Sequence, residues 1–328
     1  MTSRVSEMRE SAAPIEATDA DADTEQDLKS AAALEFVAAY REQRPPRVPP
    51  KSVALWLGIL SKMYQSGRLE EAAHNVRQMA PVYPHIRYLQ SMRAFFDSLP
   101  HKNCQTPFTD DLSESVQEVA RPDADTVILV FTGIEHRFGI PLTTFHLWLG
   151  SLPASVIYLR DFELMNYLNG IPELGKDRLE TIDALRKRVR SLGCKRTVCI
   201  GQSAGSYGAL DYGLELQAAK VVSMSGMLSF SSEFNAHLRY LSKVDRIRKT
   251  AHCPPRDLHE AYRAASNPPR VLACYGELNW DDRIHAEAFG DLPTVTLGKM
   301  RNIKDHVLIF DLIRKREFDR VLQWAMTP

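Results

Sequence analysis

From residue 126 onward, short apolar runs alternate with stretches whose apolar positions recur every three or four residues. Thr126–Thr132 (TVILVFT), Ser155–Arg160 (SVIYLR) and Lys195–Ile200 have strand length, and Val221–Met224, Arg270–Tyr275 and Thr294–Leu297 repeat the pattern. Apolar runs without alternation suit parallel strands covered on both faces. Between them, Leu142–Leu149 and Ser203–Gln217 read as helices. Asp177 and Glu180 stand in capping-box spacing before a helix with Leu179, Ile182, Leu185, Val189 and Leu192 on one face. Such alternation predicts an α/β fold: a mostly parallel, doubly wound sheet with helices on both of its faces.

Upstream the pattern differs. Residues 31–100 lack clustered β-branched residues and predict a small α-helical module, with a first helix near Asp27–Arg41 and the next beyond Pro45, Pro46, Pro49 and Pro50. Residues 101–124, with Pro107, Asp110, Asp111, Pro122 and Asp123, read as a connection holding one short strand, Ser115–Val119. Residues 1–30 carry eight acids against Arg4, Arg9 and Lys29, with few apolar residues. Such a segment buries too little apolar surface to offset ordering entropy, so a disordered acidic tail is expected. The sheet domain then spans 125–328. It is interrupted at about 227–269 by a cap, in which Phe230, Phe234, Leu238 and Leu241 predict an amphipathic helix.

Inside the helical module, Trp56, Gly67, Leu69, Ala72 and Pro84 stand at the spacing of a tetratricopeptide repeat, a helix pair of about 34 residues with a small residue at its tight contact. The segment resembles a single such repeat. Met63 departs from the usual Tyr, and no second full copy follows, although these units normally close their core on neighbours. The resemblance implies one of two things: packing on the sheet domain, or a peptide-binding groove that gives the N-terminal helices a protein partner.

Composition narrows the function classes. The 328 residues are 44% hydrophobic and 25% charged, average for globular chains and enough for one substantial core plus a smaller module. Formal net charge is zero, so neither a nucleic-acid partner nor an electrostatic hold on a membrane is expected. No apolar run approaches the roughly 20 residues that span a bilayer, and no apolar stretch follows Arg4 and Arg9 as a secretory leader requires. Five scattered cysteines without a CxxC pair predict reduced thiols in a cytoplasmic protein and no zinc. GxxxxGK[ST], HExxH and GxGxxG are absent, so no cofactor is expected.

One motif carries chemistry. Gly201-Gln202-Ser203-Ala204-Gly205 lies where a strand meets a helix. A nucleophilic serine on so sharp a turn needs glycine at both flanks, because side chains there would strike the neighbouring strand and helix. Its hydroxyl then lies at a helix N-terminus, where N–H groups meet developing negative charge. Motif and context together make residues from about 105 to 328 similar to the α/β-hydrolase superfamily. The resemblance implies a Ser, acid, His triad in that chain order, with Ser203 as nucleophile.

Of the ten histidines, His285 and His306 follow a plausible acid. His285 would share a helix face with Asp282, whereas His306 follows the last strand after a loop, where the superfamily carries its base. The acid should follow Arg270–Tyr275; Gly276…Asp282-Arg283-Ile284 fits best, and Asp281 and Glu277 stay open because the family's shorter spacing would fall on Asn279. The N–H groups of Ala204 and Ile134, after Gly133, are implied as the oxyanion hole. No HGGG run is present. His136, Arg137 and the basic run Lys243, Arg246, Arg248, Lys249 stand near the expected pocket. They suit either an anionic substrate group or a solvated face. The implied activity is cleavage, or transfer, of the acyl group of a small-molecule ester, thioester or amide. The rival is a non-catalytic binding protein that keeps the scaffold.

Overall fold

The computed structural model describes residues 31–47, 53–100 and 104–328; the expected tail at 1–30 and the prolines at 49 and 50 lie outside them. The described residues divide into two compact units, 31–64 with Arg68–Leu89, and Gln65–Gly67 with Gln90–Pro328.

In the first unit, residues 31–41 are helical (α1) and are followed by α2 (Val53–Gln65) and α3 (Leu69–Met79). Each contributes a buried stripe: Phe36 and Ala39 from α1, Trp56, Ile59 and Leu60 from α2, Ala72 and Val76 from α3. The buried Asn75 amide donates to the Phe36 carbonyl (3.0 Å) and ties α3 to α1. Helix α4 is Arg87–Asp97. Its second half belongs with the sheet unit, where Phe95 packs on Phe310 (5.0 Å between ring centres).

The second unit is built on seven strands: β1 (Val116–Val119), β2 (Thr126–Phe131), β3 (Ala154–Leu159), β4 (Arg196–Gln202), β5 (Lys220–Met224), β6 (Arg270–Gly276) and β7 (Val295–Met300). Their spatial order is β1-β3-β2-β4-β5-β6-β7. Every pair is parallel except β1 with β3. All residues of β2, β3 and β5 are buried, the polar Thr126, Ser155, Lys220 and Ser223 among them.

From β2 the chain crosses through α5 (Leu142–Leu149) to β3 on one side. From β3 it returns through α6 (Arg178–Ser191) to β4 on the other side, and from β4 it continues through α7 (Ala204–Glu215) to β5. Right-handed crossovers that reverse direction put their helices on opposite faces. The packing agrees: Phe145 of α5 meets Phe318 of the last helix, α13 (Phe318–Met326), at 5.7 Å, while Arg178 of α6 pairs with Asp211 of α7 at 2.7 Å. The sheet is doubly wound.

Helix α7 crosses the middle of the sheet, and Ala204 through Gly213 are all buried. That explains its weak amphipathic pattern. It also explains why its one buried acid, Asp211, is met by two arginines, Arg178 and Arg256.

Two local expectations change. Leu179 points outward, 63% exposed, because it falls in the first turn of α6, whereas Ile182 and Leu185 are buried and Val189 and Leu192 pack partly buried against the same core. The single amphipathic helix expected around Phe230–Leu241 is broken. A four-residue turn, α8 (Ser232–Asn235), precedes α9 (Leu241–Thr250). Buried Asn235 turns its amide back onto the carbonyls of Ser229 and Ser231 (3.1 and 2.8 Å), and such a local side-chain bond competes with helix continuation. Phe230 and Leu238 stay buried on either side of the break, and α10 (Leu258–Ala264) follows α9 before β6.

No helix among the described residues is long and apolar enough to cross a membrane.

Candidate functional site

The chain direction reverses between β2 and β4, and in open α/β sheets ligands bind outside the carboxyl ends of the strands at such a point. Ser203 follows β4 there, and Gly133 follows β2. Ser203 has φ 53° and ψ −118°, a left-handed conformation that costs a non-glycine residue of order 1–3 kcal/mol and is kept only where surroundings enforce it. Those surroundings are tight. A Cβ at Gly205 would overlap the Phe131 carbonyl, and one at Gly201 would overlap the Gly205 carbonyl. The Ser203 N–H is held by the Met224 carbonyl (2.9 Å).

Asp282 lies in the first turn of α11 (Trp280–Glu287), whose N-cap Asn279 accepts from the Asp282 N–H at 3.2 Å. The cap is thus at the position where a shorter loop would carry the acid. The Asp282 side chain is fully buried. His306 stands in the loop between β7 and α12 (Ile309–Arg314). The structure brings the three together: His306 Nε2 is 2.8 Å from Ser203 Oγ, and Nδ1 is 2.8 and 3.0 Å from the two Asp282 carboxylate oxygens.

The other acids point elsewhere. Glu277 accepts from the Asn302 N–H (3.0 Å) and faces Lys299, contacts that hold its carboxyl below the usual range. Asp281 is ion-paired to Arg239 at 3.1 Å.

Around Ser203 the β2–α5 loop curls tightly. Gly133 donates to the Arg137 carbonyl (2.9 Å), and a Cβ on Gly133 would sit 3.6 Å from the Ser203 Cβ. The N–H groups of Ile134 and Ala204 donate to no protein group among the described residues, and the Ile134 side chain is exposed. A cation that no motif marked braces this loop. Arg160 is fully buried at the end of β3 and donates to the carbonyls of His136, Asp111 and Glu114 and to the Asp110 carboxylate. His136 packs edge-on against Phe162 (4.8 Å), and burial lowers its pKa.

The basic run lies on α9. Lys243 is pulled down to about 8 by burial, with Arg246 adding to the effect and Asp161 opposing it.

His285 is buried away from Ser203. Its Nδ1 accepts from the Leu228 N–H (3.2 Å), and Phe234 covers the ring (5.0 Å). Burial lowers its pKa from 6.5 to about 4, although Asp282 opposes the shift. The unfolded chain takes up this proton below 6.5 and the folded chain does not until about 4. The stability from keeping it neutral is therefore present above that window and falls as pH drops through it, by about 1.4 kcal/mol per pH unit. His285→Asn should accordingly make the urea-unfolding free energy less pH-sensitive by about 2 kcal/mol between pH 7 and pH 5. An unchanged pH slope would refute the buried neutral state.

Among the described residues no three His, Cys, Asp or Glu side chains are grouped as for a metal ion. All five cysteines are free thiols. Burial pushes Cys274 up to about 12, which makes it a core residue and not a nucleophile.

The sheet order, the strained serine at the strand-to-helix turn and a histidine beyond the last strand agree on one class. The fold is of the α/β-hydrolase type.

No family model matches the chain, and no curated protein matches it. Solved structures similar to it include a carboxylesterase from the ammonia-oxidising thaumarchaeon Nitrososphaera gargenis, at 15% identity over 66% of this chain and 97% of that one, with a TM-score of 0.44. An α/β hydrolase from a Medee basin deep-sea metagenome library is similar at 11% identity, over 65% and 94%, with a TM-score of 0.45. An α/β serine hydrolase without a lid from Xanthomonas campestris is similar at 14% identity, over 65% and 91%, with a TM-score of 0.41. These likenesses are distant in sequence and in overlap, and the fold class rests on the strand order and crossovers of this chain.

Proposed function

We propose that the protein is a serine hydrolase that cleaves the ester, thioester or amide bond of a small-molecule acyl substrate through an acyl-enzyme on Ser203. The observation that carries the reading is the contact chain from Ser203 Oγ through His306 to the buried Asp282 carboxylate.

A carboxylate at Nδ1 favours the tautomer with its proton there, which leaves Nε2 as an acceptor for the serine hydroxyl. As Oγ bonds to the substrate carbonyl carbon, its proton passes to Nε2 and the carbonyl electron pair moves onto oxygen. The Ala204 and Ile134 N–H groups receive that oxyanion, and the N-terminus of α7 favours its charge. Collapse expels the leaving group, which takes the proton from Nε2. Water then repeats the sequence and frees the acid. Another nucleophile in place of water gives acyl transfer by the same second step.

An acyl-enzyme has a kinetic signature. With added hydroxylamine, butyrate esters that differ only in leaving group should give the same ratio of hydroxamate to free acid, since both products come from one intermediate. A ratio that varies with leaving group, or no turnover above the buffer rate, would contradict the proposal. The second outcome would favour a binding protein on a hydrolase scaffold.

A further inference from the structure

Arg239 and Tyr240, from the turn between α8 and α9, close on the acid end of the site, although no motif flags them. The Tyr240 hydroxyl donates to Asp282 Oδ1 at 2.7 Å. Arg239 Nη2 lies 3.3 Å from the same oxygen and 2.6 Å from the Tyr240 hydroxyl, while its Nε pairs with Asp281. The guanidinium also stacks over the Tyr240 ring, 4.8 Å from its centre.

We propose that Tyr240 is a positioning residue: by holding Oδ1 of Asp282 it keeps Oδ2 aligned on His306 Nδ1, so the insertion between β5 and β6 completes the acid end of the site. This rests on the serine-hydrolase reading.

The Asp282 side chain has no solvent exposure, and a buried carboxylate is tolerable only with donors on its oxygens. Its contacts are His306, Tyr240, Arg239 and nothing else among the described side chains. His306 Nδ1 lies almost equally far from both oxygens, 2.8 and 3.0 Å, so the ring alone does not choose between them. The tyrosine hydroxyl makes the choice by occupying Oδ1.

The Tyr240 hydroxyl oxygen accepts from Arg239 (2.6 Å), which leaves its own proton for Asp282. Burial, and then the neighbouring Asp282, raise its pKa well above the phenol range, so the hydroxyl keeps its proton. Behind it stands His285, 5.7 Å between ring centres, which burial keeps neutral.

Tyr240→Phe removes one oxygen and leaves the ring between Arg239 and His285. A hydrogen bond to a buried charge is strong enough that its loss should lower kcat by about 10- to 100-fold. KM should stay within about twofold, because the hydroxyl touches the acid and not the substrate. The low-field proton resonance of the Nδ1–H bond should be present in the wild type, weakened or shifted in Tyr240→Phe, and absent in Asp282→Asn, with circular dichroism unchanged in all three.

Turnover by the wild type alongside unchanged kcat and an unchanged resonance in Tyr240→Phe would overturn the positioning role while leaving the hydrolase reading intact. A loss confined to KM would also overturn it, because the residue would then be binding substrate. No turnover by the wild type would sink the hydrolase reading first. The proton spectrum would still judge the Tyr240–Asp282–His306 geometry by itself, and an unaltered resonance in the variant would count against it.

Discussion

Ser203→Ala is expected to lower turnover of short activated esters by about 10⁴- to 10⁶-fold, as loss of a triad member does in serine proteases. The fold should survive, because among the described residues the only side-chain partner of Ser203 Oγ is His306. The enforced backbone at φ 53° is made by Gly201, Gly205 and the Ser203 N–H, none of which the substitution touches. Circular dichroism and the melting midpoint check the fold, and p-nitrophenyl butyrate hydrolysis checks the rate. Activity within about tenfold of the wild type, in a preparation free of contaminating esterase, would remove Ser203 from the mechanism.

Asp282→Asn is expected to cost about 10⁴-fold, the size of the corresponding loss in a serine protease. Here the reason can be traced to particular atoms. The Tyr240 hydroxyl and Arg239 both offer donors to Oδ1, so an asparagine would turn its oxygen toward them and its NH2 toward His306. Facing a donor, Nδ1 must become an acceptor. The ring proton then moves to Nε2 and points at Ser203 Oγ, where a base is needed. Asp281→Asn and Glu277→Gln leave this arrangement in place. They remove a partly exposed pair with Arg239 and a surface contact with Asn302 and Lys299, and solvent-screened contacts of this kind contribute little. Their rates should stay within about tenfold of wild type. A near-normal Asp282→Asn beside an inactive Glu277→Gln would reassign the acid.

How much of this could be read from the chain follows from sequence separation. Strands β2 to β6 were legible because parallel strands buried on both faces carry mostly apolar runs of strand length, as TVILVFT does. The serine turn was legible because its steric demand falls on two glycines within four residues, Gly201 and Gly205. His306 could be chosen by chain order once the strands were placed.

The acid was ambiguous for a local reason. Asn279 caps α11 and moves the carboxylate one turn further along, and nothing in Gly276–Ile284 announces which residue caps. Tyr240 could not be found at all. It meets Asp282 across 42 residues and His306 across 66, and a tyrosine beside an arginine in a cap is an ordinary pair until the fold brings them to a buried carboxylate. Arg160 was hidden in the same way, since it closes a strand-like run and its partners lie far upstream. The broken cap helix shows the opposite failure. Phe230, Phe234, Leu238 and Leu241 carry a helical period, but the Asn235 side chain ends the helix between them.

Covalent labelling reads out the Ser203 nucleophile itself. A fluorophosphonate reacts with a serine hydroxyl only where a base removes its proton and donors receive the oxyanion, so it reports the assembled site and not exposure. Ser206, in the same helix, is the internal control: it is fully buried, and its hydroxyl is engaged with the Gly201 and Met224 carbonyls at 3.1 and 3.0 Å. The account predicts one phosphonate per chain, mapped by peptide mass to Ser203, none on Ser206, and loss of the label in His306→Ala and after heat unfolding. Folded protein that stays unlabelled by probes of several sizes, or that takes the label at a residue other than Ser203, would contradict it.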